Sequence, residues 1–296
     1  MIELLRALAY LSEPPTPAHA KPANALGLGP LPDAAEYTDC FLLQFHPYAS
    51  IYLGPEGMMG GVARDRIAGF WRALSLDPPT EPDHLTIMLA LYASLVEQET
   101  SSAEPATRQA WRNARKAYLW EHLLTWLPPY LFRMQEIGPE FYRRWAALTR
   151  EVLLAEGETV GTPERQSLHF REAPALPSVE ALDLDDIVSW VLAPIHSGMI
   201  LLRSDLLAGG YSLGLGLRNG ERRFVLKELL KDNAVGVLGW LAATAQAWST
   251  RHCQSSAPLI GDWWANRAQA TAVALHTLQQ LAEKHHHAAA AVSFIS

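Results

Sequence analysis

Hydrophobic positions recur along most of the chain at the spacing of an α-helix. Between residues 62 and 74, for example, Ile67, Phe70 and Leu74 fall on one helical face. No segment sustains the strict alternation that is typical of a half-buried strand. The pattern therefore predicts an all-α protein. The predicted helices cover residues 2–11, 34–45, 62–74, 81–99, 102–126, 130–137, 140–155, 179–192, 200–207, 221–230, 234–248 and 263–284.

One predicted helix is apolar on almost every side. From Leu85 to Val96 only Thr86 and Ser94 are polar, and a helix without a polar face is expected in a protein interior. The four residues before it, 81–84, are polar or proline. This contrast makes the first turn a candidate for a helix start or for a binding site.

Helix capping explains most of that first turn. Thr80 suits the N-cap position, Pro82 suits the first turn, and Asp83 completes an approximate capping box. Glu81 and Asp83 also complement the positive end of the helix dipole. Capping does not explain His84, which we expect to be neutral because the dipole disfavours a protonated histidine there. The local pattern leaves a helix cap and a binding site equally open.

Three segments interrupt the helical pattern. Residues 13–33 are rich in proline, residues 47–61 contain too many glycines and prolines for a helix, and residues 157–178 are polar without a clear period. We expect a connector, an ordered loop, and a linker or surface excursion, respectively. The predicted organisation is a first helical domain at 1–156, the linker at 157–178, an additional helical domain at 179–285, and a frayed tail at 286–296.

Composition and charge narrow the possible classes of partner. Hydrophobic residues make up 49% of the 296 residues, enough to bury a sizeable core. The chain has 24 basic and 31 acidic residues, a net charge of -7. This balance argues against a nucleic-acid binder and favours a basic partner, such as an arginine-rich peptide.

The two cysteines and the hydropathy profile indicate the compartment. Cys40 and Cys253 are far apart in the sequence, which excludes a cysteine-based zinc site and a disulfide framework and fits a reducing environment. The N-terminus resembles no signal peptide, and no apolar run is long enough for a membrane span. We therefore expect a cytoplasmic protein without stable membrane insertion.

The chain shows no recognisable catalytic, cofactor or metal motif. Residues 214–220, GLGLRNG, have the wrong glycine spacing for a dinucleotide loop and follow no predicted strand. Three successive histidines at 285–287 cannot share one helical face, so they predict no defined metal site. Asp183, Asp185 and Asp186 precede an apolar helix and are explained by helix-start electrostatics. We predict a protein that is not an enzyme and that holds no cofactor.

The sequence resembles the TorD/DmsD/NarJ group of redox-enzyme maturation chaperones over about residues 35–155. The residues that carry the resemblance are Pro47, Ser50 and Tyr52 in the loop HPYASIYLGPEGMMGG, and the Glu-Pro-Asp-His motif at 81–84, followed by the buried helix. The segment 122–153, HLLTWLPPYLFRMQEIGPEFYRRWAALTREVL, is similar to the family's second half.

The resemblance implies both a fold and a function. The fold would be a helical bundle of the TorD-like type with an additional C-terminal helical region. The function would be that of a cytoplasmic chaperone for a molybdopterin oxidoreductase. Such a chaperone binds the twin-arginine leader or N-terminal region of the catalytic subunit and assists cofactor insertion and assembly before export.

A receptor for such a leader needs carboxylates for the arginines and an apolar groove for the rest of the peptide. Glu81 and Asp83 are the candidate carboxylates. The candidate peptide-binding residues are Pro47, Ser50, Tyr52, Trp71, Glu81, Pro82, Asp83, His84, Met88 and Tyr92. Among them, Tyr52, Trp71, Met88 and Tyr92 are expected to supply apolar or aromatic surface, and Trp71 could hold an arginine by a cation–π contact.

Two other classes of function stay open at this point. One is a helical scaffold or adaptor that binds a folded partner through the C-terminal region. The other is a nucleotide- or small-molecule-dependent enzyme, although no loop supports it. The sequence specifies neither the client enzyme nor the oligomeric state.

Overall fold

The computed structural model describes residues 1–179, 182–216, 219–255 and 257–293. In this part of the chain the regular structure is helical, and the only β pairing is an isolated antiparallel bridge between Tyr48 and His84. The predicted all-α class is confirmed.

The helices follow one another with short connections. In chain order they are α1 (Ile2–Tyr10), α2 (Ala20–Ala25), α3 (Ala34–Tyr37), α4 (Ala49–Leu53), α5 (Gly61–Ala73), α6 (Leu85–Ser101), α7 (Pro105–Tyr118), α8 (Leu127–Ile137), α9 (Glu140–Val160), α10 (Leu168–Arg171), α11 (Leu184–Leu192), α12 (Pro194–Ser197), α13 (Arg203–Ser212), α14 (Arg222–Asp232), α15 (Ala234–Ser255) and α16 (Pro258–Ser293). A 3₁₀ turn lies at Pro17–His19, and π-helical turns lie at Thr38–Gln44 and Leu119–Leu123.

The chain divides into two compact units. The first unit consists of Met1–Gly54, Met58–Glu172 and Ser255–Ile260. The second consists of Pro55–Gly57, Ala173–Gln254 and Gly261–Ser296. The domain and linker boundaries at 156, 178 and 285 stay predictions.

The core of the first unit is built around α6. This helix packs against α1 and α7, and α8 packs against α9. Met88, Leu89 and Tyr92 on α6 have no exposed surface, which confirms that this helix is buried. The bundle also contains buried polar contacts: the indole Nε1 of Trp145 donates to the Leu8 carbonyl at 3.0 Å, and the Tyr130 hydroxyl donates to the Phe45 carbonyl at 3.0 Å.

A buried ion network joins α6, α7 and α9. Arg115 Nη1 lies 2.7 Å from Glu99 Oε2, and Nη2 contacts Glu156. The Tyr92 hydroxyl donates to Glu156 Oε2 at 2.7 Å. One buried guanidinium therefore bridges two carboxylates that would otherwise repel each other across the helix interface.

The second unit contains its own core. Helix α11 packs against α12 and α14, and α13 packs against α14. His252 is fully buried between Trp248 and Trp264, and its Nε2 lies 2.7 Å from the Gly198 carbonyl oxygen. Gly198 has a positive φ of 72°, and a Cβ there would lie 2.5 Å from the backbone nitrogen of Ala268. Glycine is therefore required at this close approach.

Several predicted boundaries differ from the structure. The loop predicted at 47–61 contains the short helix α4. The predicted linker at 157–178 is only partly irregular, because α9 continues to Val160 and α10 occupies Leu168–Arg171. The last helix runs through Ser293, and residues 294–296 of the tail lie outside the described residues. Fraying from residue 286 stays a prediction.

Candidate peptide-binding site

The two motif segments lie side by side in the first unit. The Ala49 nitrogen donates to the Asp83 carbonyl at 3.0 Å, and the Leu85 nitrogen donates to the Pro47 carbonyl at 2.8 Å. These two bonds form the antiparallel bridge between Tyr48 and His84. The segments that carry the family resemblance, more than 30 residues apart in sequence, are therefore one structural feature.

Asp83 holds this feature together from the inside. Its side chain is buried, and Oδ2 accepts a hydrogen bond from the Ser50 nitrogen at 3.2 Å in the first turn of α4. A carboxylate is favoured there because it complements the unpaired N–H groups of a helix start. The Ser50 hydroxyl is also buried and accepts from the Gly60 nitrogen at 3.1 Å. Asp83 and Ser50 thus position the loop, and neither is exposed to a peptide.

His84 is the N-cap of α6, so the predicted cap at Thr80 is wrong. The helix begins at Leu85, and the Thr86 nitrogen donates to His84 Nδ1 at 3.3 Å. An Nδ1 that accepts requires the neutral ring with its proton on Nε2. Burial lowers the pKa of His84 and outweighs the neighbouring Glu81 and Asp83, which raise it. Both the hydrogen bond and the lowered pKa favour the expected neutral form, with burial as the dominant cause.

Glu81 and Tyr48 form the exposed edge of the same feature. The Tyr48 hydroxyl donates to Glu81 Oε2 at 3.1 Å, and its ring contacts the His84 ring edge-on with centroids 5.0 Å apart. Burial, together with Glu81, raises the pKa of Tyr48 to about 12. The phenol therefore stays protonated at neutral pH and holds the Glu81 carboxylate at the surface.

The structure buries most of the other predicted site residues. Tyr52 stacks on Trp126 with ring centroids 5.1 Å apart and donates to the His46 carbonyl. Tyr52, Met88 and Tyr92 are at most 3% exposed, so the prediction that they supply surface is wrong in this conformation. Their apolar character suits a peptide-binding surface, and that same character places them in the core.

Pro47, Pro82 and Trp71 are the remaining predicted site residues. Both prolines are buried beside the bridge, and Trp71 on α5 is half-buried. The indole Nε1 of Trp71 is buried and has no hydrogen-bond acceptor among the described residues. Its role in holding an arginine of a partner stays a prediction.

Sequence reasoning missed the most exposed apolar residues near the motif. We name Met58, Met59 and Val62 the methionine patch; they are 65%, 57% and 50% exposed. Gly60 and Gly61 have positive φ values of 93° and 68°, which let the chain turn from the methionines directly into α5. The signal was present: two methionines in a glycine-rich loop have no helical face with which to reach the core.

Two hydrogen bonds place the methionine patch beside the motif. The first is the bond from the Gly60 nitrogen to Ser50 Oγ. In the second, Arg64 Nη2 donates to the Thr80 carbonyl at 3.0 Å, next to Glu81. The patch and the exposed carboxylate are therefore anchored to the same structural feature. Exposed methionines form adaptable apolar surfaces, and contiguous exposed apolar residues commonly mark binding sites.

A separate apolar cavity lies elsewhere in the first unit. Its volume is about 560 Å³, within the range of small-ligand sites. Trp120 forms part of its wall and donates from Nε1 to the Gly161 carbonyl at 3.0 Å. The lining consists of Trp120, Leu124, Leu154, Gly157, Glu158, Gly161, Thr162, Ala257 and Pro258.

Within the described ranges, His, Cys, Asp and Glu residues form no group of three or more that could hold a metal ion. In the same part of the chain, no helix combines the length and hydrophobicity that a membrane crossing requires.

Residues 28–131 match the family described as "Nitrate reductase delta subunit". The matched segment contains the bridge, the methionine patch and α6. It confirms the resemblance carried by the two motifs. No curated protein and no solved structure matches the chain.

Proposed function

We propose that this chain, whose residues 28–131 match the nitrate reductase delta subunit family, is a maturation chaperone for a molybdoenzyme. It binds the twin-arginine leader or N-terminal region of a molybdopterin oxidoreductase catalytic subunit. It acts in the cytoplasm and assists cofactor insertion and assembly before export. The observation that carries the proposal is the methionine patch, anchored beside the exposed carboxylate of Glu81 within the matched segment.

The chemistry of this surface suits a leader peptide. Such a leader has a basic start and an apolar middle. Glu81 offers a carboxylate for an arginine guanidinium, and the flexible thioethers of Met58 and Met59 can adapt to different apolar side chains. The net charge of -7 favours encounter with a basic segment.

The buried and half-buried motif residues support this surface from below. Asp83, Ser50 and His84 are committed to hydrogen bonds within the chain. In this proposal they fix the loop and the start of α6, and the peptide touches the methionine patch, Tyr48 and Glu81. The revised site thus keeps Glu81 from the predicted set and adds residues that the prediction lacked.

Isothermal titration calorimetry of the full chain tests the proposal. The probe is a synthetic twin-arginine leader of the molybdopterin oxidoreductase subunit encoded nearest to its gene, here called the leader probe. We expect saturable binding that weakens as the salt concentration rises, since the contribution of an exposed ion pair is screened. A control peptide with both arginines replaced by glutamine should bind more weakly. Absence of binding at low salt would refute the proposal.

The scaffold alternative has one observation in its favour. In the second unit, Tyr211 and Phe224 are large exposed apolar side chains on α13 and α14. Exposed aromatic residues are enriched at protein interfaces. In a pull-down with a folded client lacking its leader, this alternative predicts capture that Tyr211→Ser with Phe224→Ser abolishes. The leader-binding proposal predicts that the same double variant still binds the leader probe.

A further inference from the structure

The methionines of the chain fall into two environments. Met58 and Met59 are among the most exposed apolar side chains, whereas Met88, Met134 and Met199 have no exposed surface. Met1 is exposed at the N-terminus. An oxidant must reach the sulfur to react with it. Away from the N-terminus, Met58 and Met59 are therefore open to oxidation, and the three buried methionines are shielded.

We propose that Met58 and Met59 are a reversible oxidation site that switches off binding at the methionine patch. This inference rests on the proposed function, because the patch must bind an apolar segment for its oxidation to matter. The oxidant is a hydroperoxide, ROOH. The result is a surface whose affinity reports the oxidation state of its surroundings.

The reaction requires only the methionine sulfur and the hydroperoxide, and no other protein group takes part. A sulfur lone pair attacks the terminal peroxide oxygen, an S–O bond forms, and the O–O bond breaks. The proton moves to the departing oxygen, which leaves as ROH; for hydrogen peroxide this product is water. The sulfur loses two electrons and the peroxide gains them. Reversal by a methionine sulfoxide reductase consumes two thiols and yields the thioether, a disulfide and water.

Oxidation changes the surface in the direction that opposes binding. A sulfoxide oxygen is a strong hydrogen-bond acceptor that water satisfies while the patch is free. An apolar segment that covers the patch removes this water and offers no donor in return. We expect two sulfoxides to weaken binding of the leader probe by at least about tenfold.

The same oxidation should leave the fold intact. Met58 and Met59 point into solvent, and the hydrogen bond from the Gly60 nitrogen to Ser50 Oγ holds the loop independently of their side chains. Met88 is the contrasting case, because a sulfoxide there would place a polar group inside the packed core around α6.

The test combines peptide mapping with calorimetry on the full chain carrying Cys253→Ser, because Cys253 is exposed and also reacts with peroxide. After hydrogen peroxide treatment, mass spectrometry should find sulfoxide at Met58 and Met59 well before Met88, Met134 or Met199. The melting temperature should stay unchanged while affinity for the leader probe falls by at least about tenfold. Methionine sulfoxide reductase should restore the affinity.

The matched control is Met58→Leu with Met59→Leu, which keeps the apolar surface and removes both sulfurs. This variant should bind the leader probe, and peroxide should not change its affinity. Equal affinity of the oxidised and reduced Cys253→Ser chain would overturn the inference and leave the proposed function standing. Oxidation of the buried methionines at the same rate would also overturn it. Failure of reduced wild type to bind would instead overturn the proposed function, and the inference with it.

Discussion

At the scale of single residues, three side chains with the chemistry of a binding site are used inside the fold. Ser50, Asp83 and His84 each make a hydrogen bond that fixes the start of a helix or the loop beside it. The sequence motif predicted that these residues act together. It could not predict that they point into the fold. His84, and not Thr80, caps α6 because residue 84 pairs with residue 48, and this pairing is a tertiary contact.

Asp83 should therefore matter for stability. Asp83→Ala removes the acceptor for the buried Ser50 nitrogen, and an unpaired buried donor costs about 1–3 kcal/mol. We expect the free energy of unfolding in urea to fall by that amount. Glu81→Ala is the matched control: its carboxylate is exposed, and surface substitutions change stability by about 0.5 kcal/mol or less. A larger loss for Glu81→Ala than for Asp83→Ala would contradict this assignment.

Two buried histidines should make stability depend on pH. His122 Nδ1 lies 3.3 Å from His169 Nε2. Burial lowers the pKa of both, that of His169 to about 3, and the nearby positive charge of Arg66 adds to the effect. The ordinary value is about 6.5, so between pH 6.5 and 3 the unfolded chain binds protons that the folded chain does not.

The free energy of unfolding should therefore be highest above pH 6.5 and fall as the pH decreases below it. Urea titrations at pH 7.5, 6.0 and 5.0 measure this slope. His169→Gln removes one of the titrating groups and should flatten it. A slope that is the same in His169→Gln and wild type would exclude His169 as a source of the pH dependence.

At the scale of helices, α9 shows that a glycine does not always mark a helix end. The sequence predicts a helix at 140–155 and a linker that begins at Gly157, yet α9 runs to Val160. A Cβ at Gly157 would lie 3.2 Å from Leu124 Cδ1 and 3.5 Å from Trp120 Cζ2. The glycine therefore reflects close packing against a π-helical turn, which no property of the local sequence distinguishes from a break.

The capping boxes, in contrast, were predictable. Asp33 and Glu36 bond reciprocally at the start of α3, with the three-residue spacing of a capping box. Asp183 and Asp186 do the same at the start of α11. A cap involves residues three positions apart, so local sequence contains all the necessary information. The cap at His84 depends on tertiary pairing and could not be found in this way.

The ion network between α6, α7 and α9 should be a strong determinant of stability. Arg115→Met leaves Glu99 and Glu156 buried without their shared cation, which costs about 3–5 kcal/mol for a broken buried pair. Thermal or urea unfolding measures the loss. Arg112→Met is the control, because Arg112 also pairs with Glu99 but is largely exposed, and we expect a loss of about 1 kcal/mol or less. Similar losses for the two variants would show that the network adds little.

At the scale of the whole molecule, hydrophobic periodicity predicted the all-α class and the approximate positions of most helices. It did not predict that Pro55–Gly57 group with the second unit while the residues on either side group with the first. A segment of three residues is too short to show a hydrophobic period. Their placement follows from local fit: a Cβ on Gly57, which has a φ of 61°, would lie 3.0 Å from the Ala193 Cα.

The proposed binding surface also emerges only in the folded chain. The predicted site combined apolar residues of a buried helix with the motif before it, and the fold buries Pro82 and Asp83 together with the apolar set while Glu81 stays exposed. What remains at the surface is Glu81 with the methionine patch, whose two methionines lie in a loop outside the predicted helices. The central claim is that this patch binds the leader.

Calorimetric titration of Met58→Ser with Met59→Ser by the leader probe tests that claim most directly. The control is Leu42→Ser with Leu43→Ser, which removes another adjacent pair of exposed apolar residues, 54% and 48% exposed, outside the patch. We expect the methionine variant to lose at least about tenfold in affinity, because each buried apolar side chain contributes about 1.5–3 kcal/mol. The leucine variant should bind like wild type. Wild-type affinity in the methionine variant, or an equal loss in both, would contradict the account.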